Sequence, residues 1–166
     1  RSEIKNRFEK VIENIITQVQ QSQDEWVWEF HSSPEELKNH RREVIKNFVD
    51  DFELGKKENR YIVGELPCLD FDDDQFDLAL CSHFLFLYSE HFDFEFHEKS
   101  IREMLRVAKE VRIFPLLDLE NNKSRHIASM IDLYENRGFE VEVRRVEYEL
   151  QRGGNEMLRI RKNGFS

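Results

Sequence analysis

The sequence predicts an α/β protein, and three observations carry this prediction. The longest apolar run, Phe76 to Tyr88, is rich in β-forming residues up to Leu80 and is typical of a fully buried strand. A second apolar run covers 111–117. Between the two runs, residues 98–108 show apolar side chains at helical spacing. Strand, helix and strand in this order indicate a parallel sheet with a crossover helix.

The amino-terminal part has a different pattern. From Ile4 to Val19 the apolar residues recur every three or four positions, which predicts an amphipathic helix. A second helix begins at Ser33-Pro34, where a capping residue precedes a proline and two acids, and we expect it to end at Gly55. The aromatic segment 24–30 between the helices is expected to form a short strand or an extended lid.

We therefore divide the chain into residues 1–56, a helical insertion or lid, and residues 57–166, an α/β domain. Tyr61 to Val63 is predicted to be a short strand, and the acidic run Asp70 to Asp74 is predicted to be a turn before the central strand.

The last third predicts a helix followed by a hairpin. Ser124 is expected to cap the helix and Gly138 to end it. Apolar residues then alternate over 139–146 and again over 157–160. Gly153-Gly154 lies between these runs and supplies the positive φ angles that a tight hairpin turn needs.

Composition narrows the classes of partner. The chain has 166 residues and a net charge of −9, so its overall field repels nucleic acid, and a small-molecule or protein partner is favoured. The carboxyl-terminal part is locally basic, and we interpret it as a solvated hairpin face because no aromatic residues are interleaved with the charges. Its basic residues are Arg144, Arg145, Arg152, Arg159, Arg161 and Lys162.

The two cysteines, Cys68 and Cys81, are too far apart for a metal-binding pair and too few for a disulfide framework. We therefore expect no metal at these residues and a reducing, cytoplasmic location. No apolar run reaches the ~18 residues of a membrane span, so no membrane association is expected.

The polar triplet Cys81-Ser82-His83 follows the central strand where a site is expected in an open parallel sheet, because ligands bind beyond the carboxyl ends of such strands. The alternative is a core strand that runs into a helix start, with Ser82 as its cap.

Several motifs in the second half occur in an order that resembles the class I S-adenosylmethionine-dependent methyltransferases, from about Tyr61 to Lys162. They are Gly64-Glu65-Leu66-Pro67, Asp70-Phe71, Gln75-Phe76-Asp77-Leu78-Ala79-Leu80-Cys81-Ser82-His83 and Arg102-Glu103-Met104-Leu105-Arg106-Val107. The resemblance implies a Rossmann-like methyltransferase sheet, S-adenosylmethionine as the cofactor and methyl transfer to a small-molecule or protein acceptor.

The resemblance also implies roles for individual residues. Glu65 would accept a hydrogen bond from the adenine amino group, with Leu66 beside the ring. Cys81 and Ser82 would line the methyl-donor side, and His83 would act on the acceptor as a base. The alternatives are a solvated turn residue for Glu65 and a structural histidine for His83.

The sequence departs from the family in its first half. Neither the glycine-rich loop after a first strand nor the acid after a second strand is present, and no glycine precedes Gly55. The chain is therefore expected to be the carboxyl-terminal part of a longer methyltransferase, since Arg1 is not a natural start. Otherwise its sheet, incomplete on the amino-terminal side, is completed in another way, such as homo-oligomerisation.

Two further clusters have open interpretations. The inserted helices would form a lid, with Trp26, Trp28, Phe30 and His31 either lining an acceptor pocket or tying the helices to the sheet. His91, Asp93 and His97 lie close in sequence, but their spacing matches no standard metal site and none is expected there.

Three functions remain open from the sequence. The chain is part of a methyltransferase, a methyltransferase-like module that has lost its donor site and serves in interaction or oligomerisation, or a helical partner domain whose stripe from Ile4 to Val19 docks another helix.

Overall fold

The computed structural model describes residues 2–164, and the chain divides into two compact units with the boundary between Val63 and Gly64. The helices are α1 (Ser2–Gln21), α2 (Pro34–Lys57), α3 (Phe94–Val107) and α4 (Ile127–Asn136). The strands are β1 (Phe76–Ser82), β2 (Ala108–Phe114), β3 (Glu140–Arg145) and β4 (Glu156–Arg161).

The first unit contains the two predicted helices. Ser33 caps α2, because its hydroxyl oxygen accepts the Glu36 backbone N–H at 3.1 Å. Ion pairs join the two helices: Lys38 contacts Glu13 at 2.8 Å, and Arg42 contacts Glu9 at 2.8 Å. Over residues 2–164, no helix combines the length and the apolar character that crossing a bilayer requires.

Three expectations for the first unit are wrong. Of the two alternatives for residues 24–30, a short strand or an extended lid, the strand is wrong, and the segment opens with a 3-10 turn at Gln23–Glu25. Residues 61–63 are not a strand either; Tyr61 packs on Phe48 and Phe52 of α2, at ring-centroid distances of 5.2 and 5.8 Å. The helix α2 continues past Gly55, which instead gives room to the ring of Tyr61.

The second unit confirms the predicted α/β class. Its sheet has the strand order β1-β2-β4-β3, and β1 and β2 are parallel neighbours connected through α3. This strand–helix–strand unit is the building block of Rossmann-like folds. The strand β4 is antiparallel to both β2 and β3, so the predicted pairing of the last two strands is confirmed. Residues 146–155 connect these two strands, a longer link than the predicted tight turn at Gly153-Gly154.

One face of the sheet forms the core together with α3 and α4. The largest fully buried side chains there include Tyr134 and Ile101 from the helices and Ile113 and Leu158 from the strands. The spacing of Ile101, Met104 and Leu105 places all three on the buried side of α3, as the sequence predicts.

The opposite face of the sheet carries charge on its inner strands. The side chain of Arg159 is 7% exposed and forms ion pairs with Glu110 at 3.0 Å and with Glu140 at 2.7 Å. The interpretation of the basic carboxyl-terminal residues as a solvated face is therefore wrong for Arg159, whose guanidinium links three strands.

The strand β1 is not the fully buried strand that its composition predicts. It lies at the edge of the sheet, and Phe76, Leu78 and Leu80 are 37%, 39% and 70% exposed. The other face of β1 is covered, because Cys81 belongs to the hydrophobic core and Ala79 packs against this core. The amino-acid composition of a strand does not distinguish a central strand from an apolar edge strand.

Candidate functional site at the carboxyl end of the first strand

The triplet Cys81-Ser82-His83 lies where β1 ends, beside the end of the parallel strand β2. Cys81 is aligned with Ile113 and Ser82 with Phe114. The side chain of Cys81 points into the core, and burial raises the pKa of its thiol. A protonated, buried thiol is a poor nucleophile, so Cys81 lines the site and does not react in it.

Ser82 and His83 are exposed and contact each other. The Ser82 hydroxyl and the His83 Nδ1 atom share a hydrogen bond of 2.7 Å. His83 has a φ of 55°, and its backbone N–H donates to the Phe114 carbonyl oxygen at 2.7 Å. A histidine in the left-handed region turns the chain sharply away from the strand, as often occurs beside functional sites. The hydroxyl of Ser82 bonds to this histidine, and Ser82 caps no helix in residues 2–164.

Glu65 and Leu66 belong to a tight turn that contains a cis peptide bond between Leu66 and Pro67. The Cys68 backbone N–H donates to the Glu65 carbonyl oxygen at 3.0 Å, which closes the turn. Leu66 packs against the core, whereas the side chain of Glu65 is exposed.

A pair of charged residues on α3 holds the segment that follows this turn, a role that no pattern in the sequence predicts. Arg106 donates to the carbonyl oxygens of Leu69 at 3.0 Å and Phe71 at 2.8 Å. The Leu69 backbone N–H donates to Glu103 at 2.8 Å. Arg106 also holds the pKa of the Glu103 carboxyl below its usual value through a direct hydrogen bond. The two side chains therefore fix residues 69–71 on α3.

This arrangement leaves an apolar groove of about 480 Å³ along β1. Leu66, Cys81 and Ser82, three of the predicted cofactor-binding residues, line it together, whereas Glu65 and His83 do not. The remaining lining residues are Leu69, Phe71, Phe76, Leu78, Ala79, Leu80, Phe84, Met104 and Val107. The groove thus offers an apolar surface with a hydroxyl group at one end.

Two buried histidines fix the loop that follows the site, residues 83–93. His97 on α3 has Nε2 at 2.9 Å from the Leu85 carbonyl oxygen, and His126 has Nε2 at 3.2 Å from the Phe92 carbonyl oxygen. The rings of the two histidines lie 4.5 Å apart. Burial is the largest influence on His97 and lowers its pKa, although two carbonyl groups and Asp93 oppose this effect.

The predicted cap at Ser124 is wrong. The helix α4 begins at Ile127, with His126 at its N-cap position. Ser124 is buried, and its hydroxyl instead forms a hydrogen bond with the hydroxyl of Ser89 in the loop.

His91, Asp93 and His97 do not converge. The Asp93 carboxylate caps α3 by accepting the Phe96 N–H at 2.8 Å, while His97 is buried and His91 is exposed. Among residues 2–164, no group of three or more His, Cys, Asp and Glu side chains is placed to hold a metal ion.

No protein-family model matches the chain. An uncharacterised protein of Methanocaldococcus jannaschii is 35% identical over 135 residues, which are 81% of this chain and 58% of that protein. The chain therefore spans 58% of the length of this relative. The crystal structure of a SAM-dependent methyltransferase from Methanosarcina mazei aligns with 18% identity and a TM-score of 0.41, covering 61% of this chain and 66% of that one. Neither comparison assigns an activity to the chain.

Proposed function

We propose that the unit beginning at Gly64 binds S-adenosylmethionine at the carboxyl end of β1 and that the complete protein is a methyltransferase. One observation carries this proposal: Leu66, Cys81 and Ser82, which the sequence resemblance assigns to the donor, line a single groove although Leu66 precedes the other two by about 15 positions. A volume of about 480 Å³ lies within the range of small-ligand pockets, ~300–1,000 Å³.

The residues present fit one part of such a donor. The apolar wall of Leu66 and Phe84 suits the faces of an adenine ring, and the exposed carboxylate of Glu65 can accept from its exocyclic amine. We assign no residue of this chain to the ribose or to the methionine carboxylate, because the glycine-rich loop and the second acid are absent from the sequence.

The cofactor supplies an electrophilic methyl group on a sulfonium centre. This chain supplies orientation, because the groove and the anchored turn hold one reactant in a fixed place. His83 is the candidate base that takes the proton from the acceptor nucleophile, and its hydrogen bond with Ser82 orients the ring.

A second candidate function is a methyltransferase-like interaction module without donor binding. The observation that favours it is the exposed side chain of Glu65, which does not line the groove. The two candidates differ in a single property, the binding of the donor by the folded chain.

Calorimetric titration of S-adenosylmethionine, and separately of S-adenosylhomocysteine, into the full chain tests the proposal. We expect saturable binding that Leu66→Ala and Glu65→Ala each weaken by about tenfold, which corresponds to ~1.4 kcal/mol. Glu120→Ala, at an exposed acid outside the site, is the matched control and is expected to bind normally. If neither ligand binds while circular dichroism shows a folded chain, the interaction module is the better account.

A further inference from the structure

A cavity of about 440 Å³ lies at the end of the sheet opposite Ser82 and His83. The end of α3, the end of α4 and residues next to the strands β1, β3 and β4 enclose it. Among residues 2–164, none lines both this cavity and the groove along β1. The lining residues are Asp73, Asp74, Arg102, Leu105, Arg106, Tyr134, Arg137, Phe139 and Lys162.

The cavity has an apolar floor and a charged rim. Leu105 and Tyr134 are buried, and the rings of Tyr134 and Phe139 meet edge to face with their centroids 5.5 Å apart. Within the described residues, four cations and two acids belong to the lining, although the chain as a whole carries a net charge of −9. The rim therefore attracts anions at a place on a protein whose overall charge repels them.

Two of the four cations are already matched by the acids of the lining. Arg106 donates to the Asp73 carboxylate at 2.7 Å, and Lys162 forms an ion pair with Asp74. Arg106 also donates to Glu103 at 2.8 Å. This side of the cavity therefore has no positive charge left to hold a ligand.

The other two cations share one carboxylate. The Nη1 atom of Arg137 lies 2.7 Å from the Oε1 atom of Glu98, and the Nη1 atom of Arg102 lies 3.6 Å from the same oxygen. These three side chains together keep one positive charge. Both donors are close to a single oxygen atom, so hydrogen bonds of ~2.8 Å to one added carboxylate can bridge them. The side chain of Arg102 is 62% exposed and can turn to a ligand without breaking a close contact.

The surroundings of these two arginines define the ligand. The guanidinium carbon of Arg137 lies 5.4 Å from the centre of the Tyr134 ring, so an anion bound there sits beside the apolar floor. One uncompensated charge matches a monoanion such as a carboxylate. A phosphate dianion would be repelled by Asp73, whose side chain is 75% exposed.

We propose that this cavity binds a small organic carboxylate, whose apolar ring covers Leu105 and Phe139 and whose carboxylate bridges Arg102 and Arg137. The site is independent of donor binding, and its test involves no S-adenosylmethionine.

Amide chemical-shift titration of the isotope-labelled full chain with 2-naphthoate tests this site. The uncharged 2-naphthamide has nearly the same shape and is the control ligand. We expect saturable shifts at Leu105, Arg137 and Phe139 with 2-naphthoate, and a dissociation constant about tenfold higher or more for the amide. Binding of 2-naphthoate should weaken as salt is added, because salt screens the attraction between exposed charges.

Three variants test the sharing of the Glu98 carboxylate. Arg102→Gln should raise the dissociation constant of 2-naphthoate about fivefold, because Glu98 then neutralises the guanidinium that remains. Glu98→Gln should lower it about fivefold, because both guanidinium groups become available. Arg144→Gln is the matched control, since Arg144 is an exposed arginine near the far end of β3 and pairs with Glu142 at 2.7 Å.

The proposal is overturned if 2-naphthoate and 2-naphthamide bind equally well, because the arginines would then play no part. It is also overturned if the folded chain shows no saturable shifts at the cavity up to the solubility limit of 2-naphthoate. Equal dissociation constants in Arg102→Gln and Arg144→Gln would have the same meaning.

Discussion

The imidazole of His97 and the carbonyl oxygen of Leu85 form a buried hydrogen bond of 2.9 Å, and on its other side the same ring lies 2.7 Å from the Asp93 carbonyl oxygen. Carbonyl oxygens only accept, and a neutral imidazole has one N–H to donate. Both contacts are satisfied together only when the ring is protonated, yet burial opposes the charge. Burial is the larger effect, and the pKa of His97 is lowered.

This balance predicts a loss of stability in mild acid. The pKa of His97 is lower in the folded chain than its ordinary value of 6.5, so the unfolded chain binds the proton more tightly. The contribution of His97 is therefore present above pH 6.5 and is lost as the pH falls through this value, with a slope of at most ~1.4 kcal/mol per pH unit. Denaturant unfolding between pH 5 and 8 measures this slope.

In the variant His97→Gln the side chain at this position is neutral at every pH. Its free energy of unfolding should therefore depend less steeply on pH between pH 5 and 6.5. His91→Gln is the matched control, because this side chain is exposed, and it should retain the full slope. Equal slopes in His97→Gln and the unmodified chain would show that the buried imidazole does not titrate with unfolding.

The anchoring of residues 69–71 by Arg106 gives a second prediction. Arg106→Ala removes the donors to the carbonyl oxygens of Leu69 and Phe71, so the segment should open locally without unfolding of the unit. Hydrogen exchange of the Leu69 amide should accelerate by about tenfold. Arg102→Ala is the control, since Arg102 lies on the same helix and has a weak 3.6 Å ion pair with Glu98. If the Leu69 amide exchanged at the same rate in Arg106→Ala and Arg102→Ala, Arg106 would not anchor residues 69–71.

Gly55 gives a third prediction, for the helical unit. A Cβ atom at this position would lie 2.2 Å from a ring carbon of Tyr61. Gly55→Ala should therefore destabilise the unit by ~1–3 kcal/mol through overpacking, although alanine favours a helix by ~1 kcal/mol. In the Tyr61→Ala background the same substitution should become neutral or stabilising. Thermal unfolding of the four proteins completes this cycle, and an unchanged effect of Gly55→Ala in both backgrounds would exclude the clash.

The two thiols give a fourth prediction. Cys68 is exposed, whereas Cys81 is buried and the pKa of its thiol is raised by burial. Iodoacetamide at pH 8 should modify Cys68 in the folded chain and leave Cys81 intact until denaturant is added, because the thiolate is the reactive form. Peptide mass mapping distinguishes the two sites. If iodoacetamide modified Cys68 and Cys81 at comparable rates in the folded chain, the end of β1 would have to open readily.

The sequence predicted the elements whose burial has a clear period. The helix around Ile101 and the antiparallel pairing of Val143 with Leu158 follow from spacings of three to four and of two residues. The family resemblance implies a donor site that includes Leu66, Cys81 and Ser82; all three line the groove, and their binding of the donor is a proposal.

The remaining features depend on contacts that no local pattern encodes. The bond between Arg106 and Leu69 joins residues 37 positions apart, and an arginine on a helix face reads as a solvated charge. The exposed edge of β1 was missed because a continuous apolar run has the same composition at the edge of a sheet as at its centre. Gly55 resembled a helix end because a glycine needed for close packing and one needed for a positive φ look alike in sequence.

The central claim is that the donor occupies the end of the groove beside β1, and amide chemical-shift mapping of the isotope-labelled full chain with S-adenosylhomocysteine tests it most directly. The account predicts saturable shifts at Leu66, Ser82 and His83, with residues of β3 unaffected. Saturable shifts confined to other parts of the chain, or no shifts while the spectrum remains that of a folded protein, would contradict it.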